Sequence, residues 1–549
     1  CYEVTTNVLN ECYNELLIHK INLKGTVLKP NMIIPGSDSK NKSSSEEIAK
    51  KTLDCLKKNV PNEVPSIAFL SGGQSEIEAS KNLNEINKIN DTSFHFTFSY
   101  GRALQQSALK TWAKSMKDIA KIQKVFDHRA VFSPICKESF TVPNGYVPQL
   151  IDKAVAIATE GRPGPVHLDL PIAVSAQLHE FSRNEYRPLP APVRPSKGIN
   201  LDTAREWLSK ADRPLMIVGV DAVNQNAGQS VTKFAKKFGT PVISTYKAKG
   251  IISEDEALSL GGAGLSPLGD KTLIPLIEEA DFILLVGYDP IEMRNGWRSI
   301  WNTAEKNVVE ILVYPEYSYM HTSSMMFICD IAEGLEALSE NNSNGETWID
   351  NEPAIVKKET ASLYGQNDPW GPAAIAVTIR SSTPRDTVIT MDSGAHRILL
   401  SQVWETYEPH SVLQSSALCT MGCALPIATG VKLASPQRQV IAFTGDGGLE
   451  MVLGELVTLR DLKLPLIVVV FVDASLALIE KKQREMNYQN AGVDMNETDF
   501  AVLANALGGH GITVENRDAL ASAIKNALVS DVYTIIACKV PRGSYDGRI

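Results

Sequence analysis

The run LPLIVVVFV at 464–472 contains no polar side chain. It is far too short for the ~20 residues that span a bilayer, so it reads as a strand buried on both faces in a parallel sheet, with helices covering each face. A second apolar strand, QVIAFTG at 439–445, runs straight into Gly445-Asp446-Gly447-Gly448 and an amphipathic helix. The first run ends at Asp473-Ala474-Ser475, and Asp473 follows Asp446 by 27 residues. In a parallel sheet both loops open on the same edge. Two carboxylates, free backbone N–H groups at a helix N-terminus and a carbonyl near Ser475 could then share one Mg²⁺ bridging two phosphates.

The alternation of strand and helix extends along the whole chain. A helix over 6–20 is followed by a strand-like KGTVLKPNMI, a capped helix SSEEIAKKTLDCLKKN, a strand SIAFLSGG, a helix SEIEASKNLNEIN, a strand FHFTFSYG and a helix RALQQSALKTWAKS. YVPQLIDKAVAIATEGRPGPVHLDLP gives a helix, a turn and a strand ending at Pro171. Residues 180–200 read as a Pro- and Arg-rich linker, and 340–353 as a second linker or exposed loop. Between them lie expected strands at PLMIVGV, PVIST, FILLVGY and VVEILVY, and after them TVITM, QVIAFTG, LIVVVFV and YTIIACK. The length of 549 residues accommodates three or four such domains. The expected fold class is α/β throughout.

A net charge of −9 with no basic tract argues against a nucleic-acid partner, and no apolar run is long enough for a membrane segment. The eight cysteines form neither a CxxC nor a zinc ribbon and read as reduced packing thiols of a cytoplasmic enzyme. The first residues have no signal-peptide pattern, and Cys1 in place of methionine suggests a cut, processed or incomplete N-terminus.

Four motifs, GRPGPVHLDLP (161–171), MDSGAHRILLSQ (391–402), SSALCTMGCALPIATG (415–430) and GDGGLEM (445–451), make residues 117–549 resemble the thiamin diphosphate-dependent, acetolactate synthase-like family. That resemblance implies Rossmann-like domains, a 2-oxo acid substrate, thiamin diphosphate with Mg²⁺, and a homo-oligomer, dimer or tetramer, with sites between subunits. It implies Asp446, Asp473 and Ser475 at the metal, and Gly445, Gly447 and Gly448 at the diphosphate. Met421 and Met451 would contact the cofactor rings, Met451 as the wedge that bends the cofactor, and His396 would stand near it. Two departures stand out. Val472-Asp473 replaces the usual Asn-Asn, and Lys482 stands where acetolactate synthases carry the tryptophan that selects the acceptor, so carboligase or decarboxylase is the broader expectation. Some relatives hold FAD in the middle domain; here there is no GxGxxG, Gly261-Gly262-Ala263-Gly264 is too weak a signal to claim a dinucleotide, and flavin is left open.

The first 112 residues are similar to a different family. GTVLKPNM (25–32), FLSGGQSEIEAS (69–80) and FSYGRALQQSALKTW (98–112) resemble the last three strand–helix units of a class I fructose-bisphosphate aldolase, a (β/α)₈ barrel. Lys29, at a strand end before proline, is the candidate Schiff-base lysine if desolvation lowers its pKa. Ser71, Gly72, Gly73, Gly101 and Arg102 would form the barrel's phosphate site. Three strands do not close a barrel, and the acids used for carbon–carbon cleavage lie upstream of this piece, so no useful aldolase turnover is expected.

The expected layout is an aldolase-like segment at 1–115, a remnant of a pyrimidine-binding domain at 116–190, a central domain at 191–345 and a diphosphate-binding domain at 346–549. The thiamin family activates its cofactor with a glutamate early in the first domain, the part replaced here. Glu47, Glu76 and Glu78 read as solvated helix residues and not as substitutes. The stretch TWAKSMKDIAKIQ (111–123) thus joins two incomplete enzymes. The expectation is an impaired carboligase or decarboxylase; the alternatives are an aldolase fragment or a composite, chimeric chain without catalysis.

Overall fold

The computed structural model describes residues 2–36, 39, 43–70, 72, 74–98, 129, 132–177, 191–315, 320–415 and 418–549. The chain divides into two compact units, Cys1–Ala158 with Gly164–Phe181, and Thr159–Pro163 with Ser182–Ile549. The junction 111–123 and the expected helix RALQQSALKTWAKS lie outside the described residues.

In the first unit, β1 (Val27–Leu28), β2 (Ser66–Phe69) and β3 (His95–Phe98) pair in parallel in the order β1-β2-β3. The helix Ser45–Asn59 starts where the Ser44 side chain accepts the Glu47 N–H at 3.2 Å, with Glu46 and Glu47 in its first turn and Lys57 and Lys58 in its last. The helix Glu76–Lys88 opens with a full capping box between Ser75 and Glu78. Both helices and Tyr2–Ile18 bury an apolar face, including Leu9, Leu56 and Leu83, against Ile67 and Phe69. On the opposite face Ala68 is buried but Val27, Lys29, His95 and Thr97 are exposed. A separate pair of parallel strands, β4 (Glu138–Thr141) and β5 (Val166–Asp169), completes the sheets described here.

The second unit holds two parallel sheets. The first contains β6 (Pro214–Val218), β7 (Val242–Thr245), β8 (Ser259–Ala263), β9 (Phe282–Val286), β10 (Asn307–Leu312) and β11 (Met325–Ile328), in the order β11-β10-β9-β6-β7-β8. The second contains β12 (Val388–Met391), β13 (Val412–Gln414), β14 (Val440–Gly445), β15 (Ile467–Val472), β16 (His510–Val514) and β17 (Thr534–Lys539), in the order β13-β12-β14-β15-β17-β16. Every residue of β15 is buried. Its Ile467, Val469 and Phe471 enter one core and Val468, Val470 and Val472 the other, as a strand with helices on both faces requires.

The α/β expectation holds, with differences in detail. Gly261 to Ala263, too weak in sequence to claim a dinucleotide loop, form part of β8, a strand not expected there. The helix Ile199–Ser209 begins inside the stretch read as a linker. The polar stretch 340–351 has no helix or strand, yet its Trp348 is buried and donates its indole N–H to the Pro214 carbonyl at 2.8 Å, which ties the stretch down. The two sheets of this unit share a polar seam: buried Lys249 pairs with buried Glu254, and Glu254 also accepts the Thr406 N–H at 3.1 Å.

Candidate functional site

The chain leaves β12 for β13 on one side and then returns to β14 on the other. Such a reversal opens a crevice at the carboxyl ends of the strands, the place where open α/β sheets bind ligands. A cavity of about 290 Å³ lies there, lined by Gly394 and His396 after β12, Asp446 and Gly448 after β14, and Asp473 and Ser475 after β15.

Asp446 is buried at the start of a short helix, Asp446–Glu450. Its Oδ1 accepts the Gly447 N–H at 2.8 Å, while Oδ2 accepts the N–H groups of Ala474 at 2.8 Å and Asp473 at 3.2 Å. The second loop reaches it because Ala474 adopts a left-handed φ of 52°, a conformation that non-glycine residues rarely hold without a local reason. Asp473 in turn accepts the Ser475 N–H at 3.2 Å. Burial raises the pKa of both carboxyls, with the charge of Asp446 adding to the effect on Asp473, which is pushed up to about 7. Two buried carboxylates that raise each other's cost of ionisation are relieved by a shared cation, so the donor set suits a hard divalent ion. Among the described residues no three His, Cys, Asp or Glu side chains converge on one point, so such an ion would draw its other oxygens from backbone and ligand.

A third carboxylate organises the crevice without facing a cation. Asp392 is fully buried. It accepts the N–H groups of Gly422 at 2.8 Å, Cys423 at 3.0 Å and Ser393 at 3.0 Å, and the Thr444 hydroxyl at 3.0 Å. It thus ties the loop after β12, the loop holding Met421 and the end of β14 into one piece. Gly448 exists for this contact: a Cβ there would lie 2.0 Å from Asp392 Oδ2. His396 is also buried, stacked on Phe471 with ring centroids 5.5 Å apart, and among the described residues its Nε2 has no hydrogen-bond partner. Burial depresses its pKa to about 4, against the opposing charge of Asp392, so the ring is neutral at physiological pH.

The sequence-derived residues therefore separate into groups. Asp446, Asp473, Ser475, Gly445, Gly447, Gly448, Met421 and His396 line one cavity. Gly447 spends its N–H on Asp446 and so does not offer it to a ligand. Met451 is 61% exposed and is not part of the cavity wall. Lys482 is exposed on the helix Ala477–Glu485 and pairs with Glu485 at 3.3 Å. In the first unit, Lys29 is exposed, so the desolvation invoked for a reactive lysine is not present. Gly72 occupies a left-handed turn beside Asn31, whereas Ser71, Gly73, Gly101 and Arg102 lie outside the described residues. Glu47 pairs with Lys51 and Glu78 caps its helix, both as expected for solvated helix residues. Sequence reasoning missed Asp392, Tyr545 and Cys419; only Asp392 carried a signal, as an acid directly after an apolar strand.

Comparison with known proteins agrees with the two resemblances. Residues 201–338 match the family described as thiamine pyrophosphate enzyme, central domain, and residues 392–538 match thiamine pyrophosphate enzyme, C-terminal TPP binding domain. Residues 1–141 match fructose-bisphosphate aldolase class-I. An acetolactate synthase of Bacillus subtilis (strain 168) is 26% identical over 433 residues, covering 76% of this chain and 74% of that protein. The catabolic acetolactate synthase of Raoultella terrigena is 25% identical over 436 residues, covering 76% of each. The cytosolic fructose-bisphosphate aldolase 4 of Arabidopsis thaliana is 52% identical over 131 residues, which are 24% of this chain but only 33% of that aldolase.

Proposed function

We propose that this chain is a thiamin diphosphate- and Mg²⁺-dependent carboligase or decarboxylase of 2-oxo acids, acetolactate synthase-like, with turnover impaired by the replacement of the segment that carries the activating glutamate. The observation that carries this reading is the convergence of Asp446 and Asp473, from adjacent strand ends, on one cavity at the switch point of a sheet that matches a TPP binding domain.

In this reading Asp446, Asp473 and the Ser475 carbonyl would hold the metal, which would supply positive charge to the diphosphate. Gly445 and Gly448 let backbone approach the diphosphate. Met421, in the cavity wall, takes the wedge role that the resemblance gave to Met451. His396, neutral and with a free Nε2, serves as a hydrogen-bonding group and not as an imidazolium. Thiamin diphosphate, when bound, supplies the electron sink for breaking and making bonds next to a carbonyl. The protein's share is to orient it, exclude water and place the metal. A cytoplasmic homo-oligomer is the expected setting, and among the described residues no helix is long and apolar enough to cross a membrane. Calorimetry with Mg²⁺ and thiamin diphosphate tests the reading: saturable binding that requires the metal is expected, and its absence removes it.

The 52% identity to an aldolase supports a second reading for the first unit. Incubation with dihydroxyacetone phosphate and borohydride should leave Lys29 unmodified, because three strands and an exposed lysine make no Schiff-base pocket. A trapped adduct would restore the aldolase alternative. Peptides spanning residues 112–117 in a digest of the purified protein are expected from a continuous chain, and their absence would make the sequence a composite.

A further inference from the structure

Residues 541–549 contain no helix or strand, yet Tyr545 is only 3% exposed and Ile549 is buried in the core of the second sheet. The segment is pinned along its length. Arg542 donates to Glu480 Oε2 at 2.9 Å and pairs with Asp494, Arg484 grips both oxygens of Asp546 at 2.6 and 2.9 Å, and Arg548 donates to Asp368 at 2.8 Å. The Glu480 oxygen held by Arg542 is the one that accepts the Ser475 hydroxyl. A chain of contacts therefore runs from the tail to the loop that carries Asp473. Arg542 is partly exposed, and ion pairs of that kind add little to stability, so their value lies in placement. Tyr545 lines the same cavity as the two aspartates.

We propose that the tail is a positioning element of the cavity: Arg542, acting through Glu480 and the Ser475 hydroxyl, fixes the loop bearing Asp473, and Tyr545 closes the acidic end as a hydrogen-bond donor toward a bound diphosphate. The role of Tyr545 rests on the thiamin diphosphate reading; the Arg542 clamp does not.

The test uses the full chain. Hydrogen exchange without ligand should show faster exchange across 473–480 in Arg542→Ala, with β12 and β17 unchanged and with recovery in Arg542→Lys. Glu480→Gln gives the same signature if Arg542→Ala does not fold. Calorimetry with Mg²⁺ and thiamin diphosphate should show roughly tenfold weaker binding for Arg542→Ala and for Tyr545→Phe, as loss of groups that orient metal ligands does. Wild-type exchange in both clamp variants overturns the clamp, and wild-type affinity in Tyr545→Phe overturns the donor role. A wild-type protein that binds neither metal nor cofactor overturns the reading of the cavity and the role of Tyr545 with it, while the exchange result still decides the clamp.

Discussion

The first three strands and the β12–β17 sheet are written in the same strand–helix alternation, but among the described residues it is the second that gathers its candidate residues in one cavity. In β15 all six residues are buried and the neighbouring chain reverses direction across the sheet, so a crevice with two strand-end carboxylates follows from the topology. In β1–β3 the order is sequential, Val27, His95 and Thr97 are exposed, and the lysine at the strand end meets solvent. A chemically suitable residue at the end of a strand is therefore insufficient. What matters is whether the sheet is covered on both faces and closed or reversed around that end.

The strongest challenge to this contrast is a pair of substitutions. Asp446→Ala should weaken metal-dependent cofactor binding at least about a hundredfold by calorimetry, since it removes a ligand and three amide partners together. Lys29→Met should leave that affinity unchanged. Equal effects would erase the distinction between the regions.

Stability should separate them next. Asp392→Ala leaves buried donors from Gly422, Cys423 and Ser393 without an acceptor, and should cost about 3 kcal/mol or more in urea unfolding. In the first unit, Ser75→Ala removes a helix cap and should cost only about 1 kcal/mol.

A pH effect should also belong to the second unit. Burial depresses the pKa of His321 to about 4. It is stacked on Trp301 at 4.3 Å and within 2.8 Å of the Tyr288 hydroxyl. The unfolded chain takes up this proton near pH 6.5 and the folded one only near 4, so stability is intact above 6.5 and falls between those values, by at most ~3 kcal/mol. Thermal midpoints of His321→Gln measured from pH 7 to 4 should show a shallower decline than those of the parent.

The strands legible in the second unit were the interior ones, β6, β7, β9, β10, β12, β14, β15 and β17, whose continuous apolar runs reflect burial on both faces. Those missed, β8, β11, β13 and β16, are the four sheet edges. SLGGA is rich in glycine, MMFI alternates between partly buried and exposed, VLQ is only three residues long and HGITV is largely in solvent, so none carries the interior signature. In the site, Asp446 and Asp473 were readable because each directly follows an apolar run. Tyr545 was not, because it reaches the cavity by folding back from a tail whose sequence has no periodicity. Lys29 is exposed: a strand end before proline indicates position, while desolvation depends on distant elements that must cover it.

The Lys249–Glu254 pair in the seam between the two large sheets has a mechanical consequence. Hinging the halves apart would break two hydrogen bonds together, from the Thr406 N–H to the Glu254 carboxylate and from the Glu254 N–H to the Thr406 carbonyl, while Lys249 and Glu254, which belong to the same half, stay paired. The halves should accordingly melt in a single step, and any breathing that admits a small molecule falls to loops and tail, with the joint staying shut.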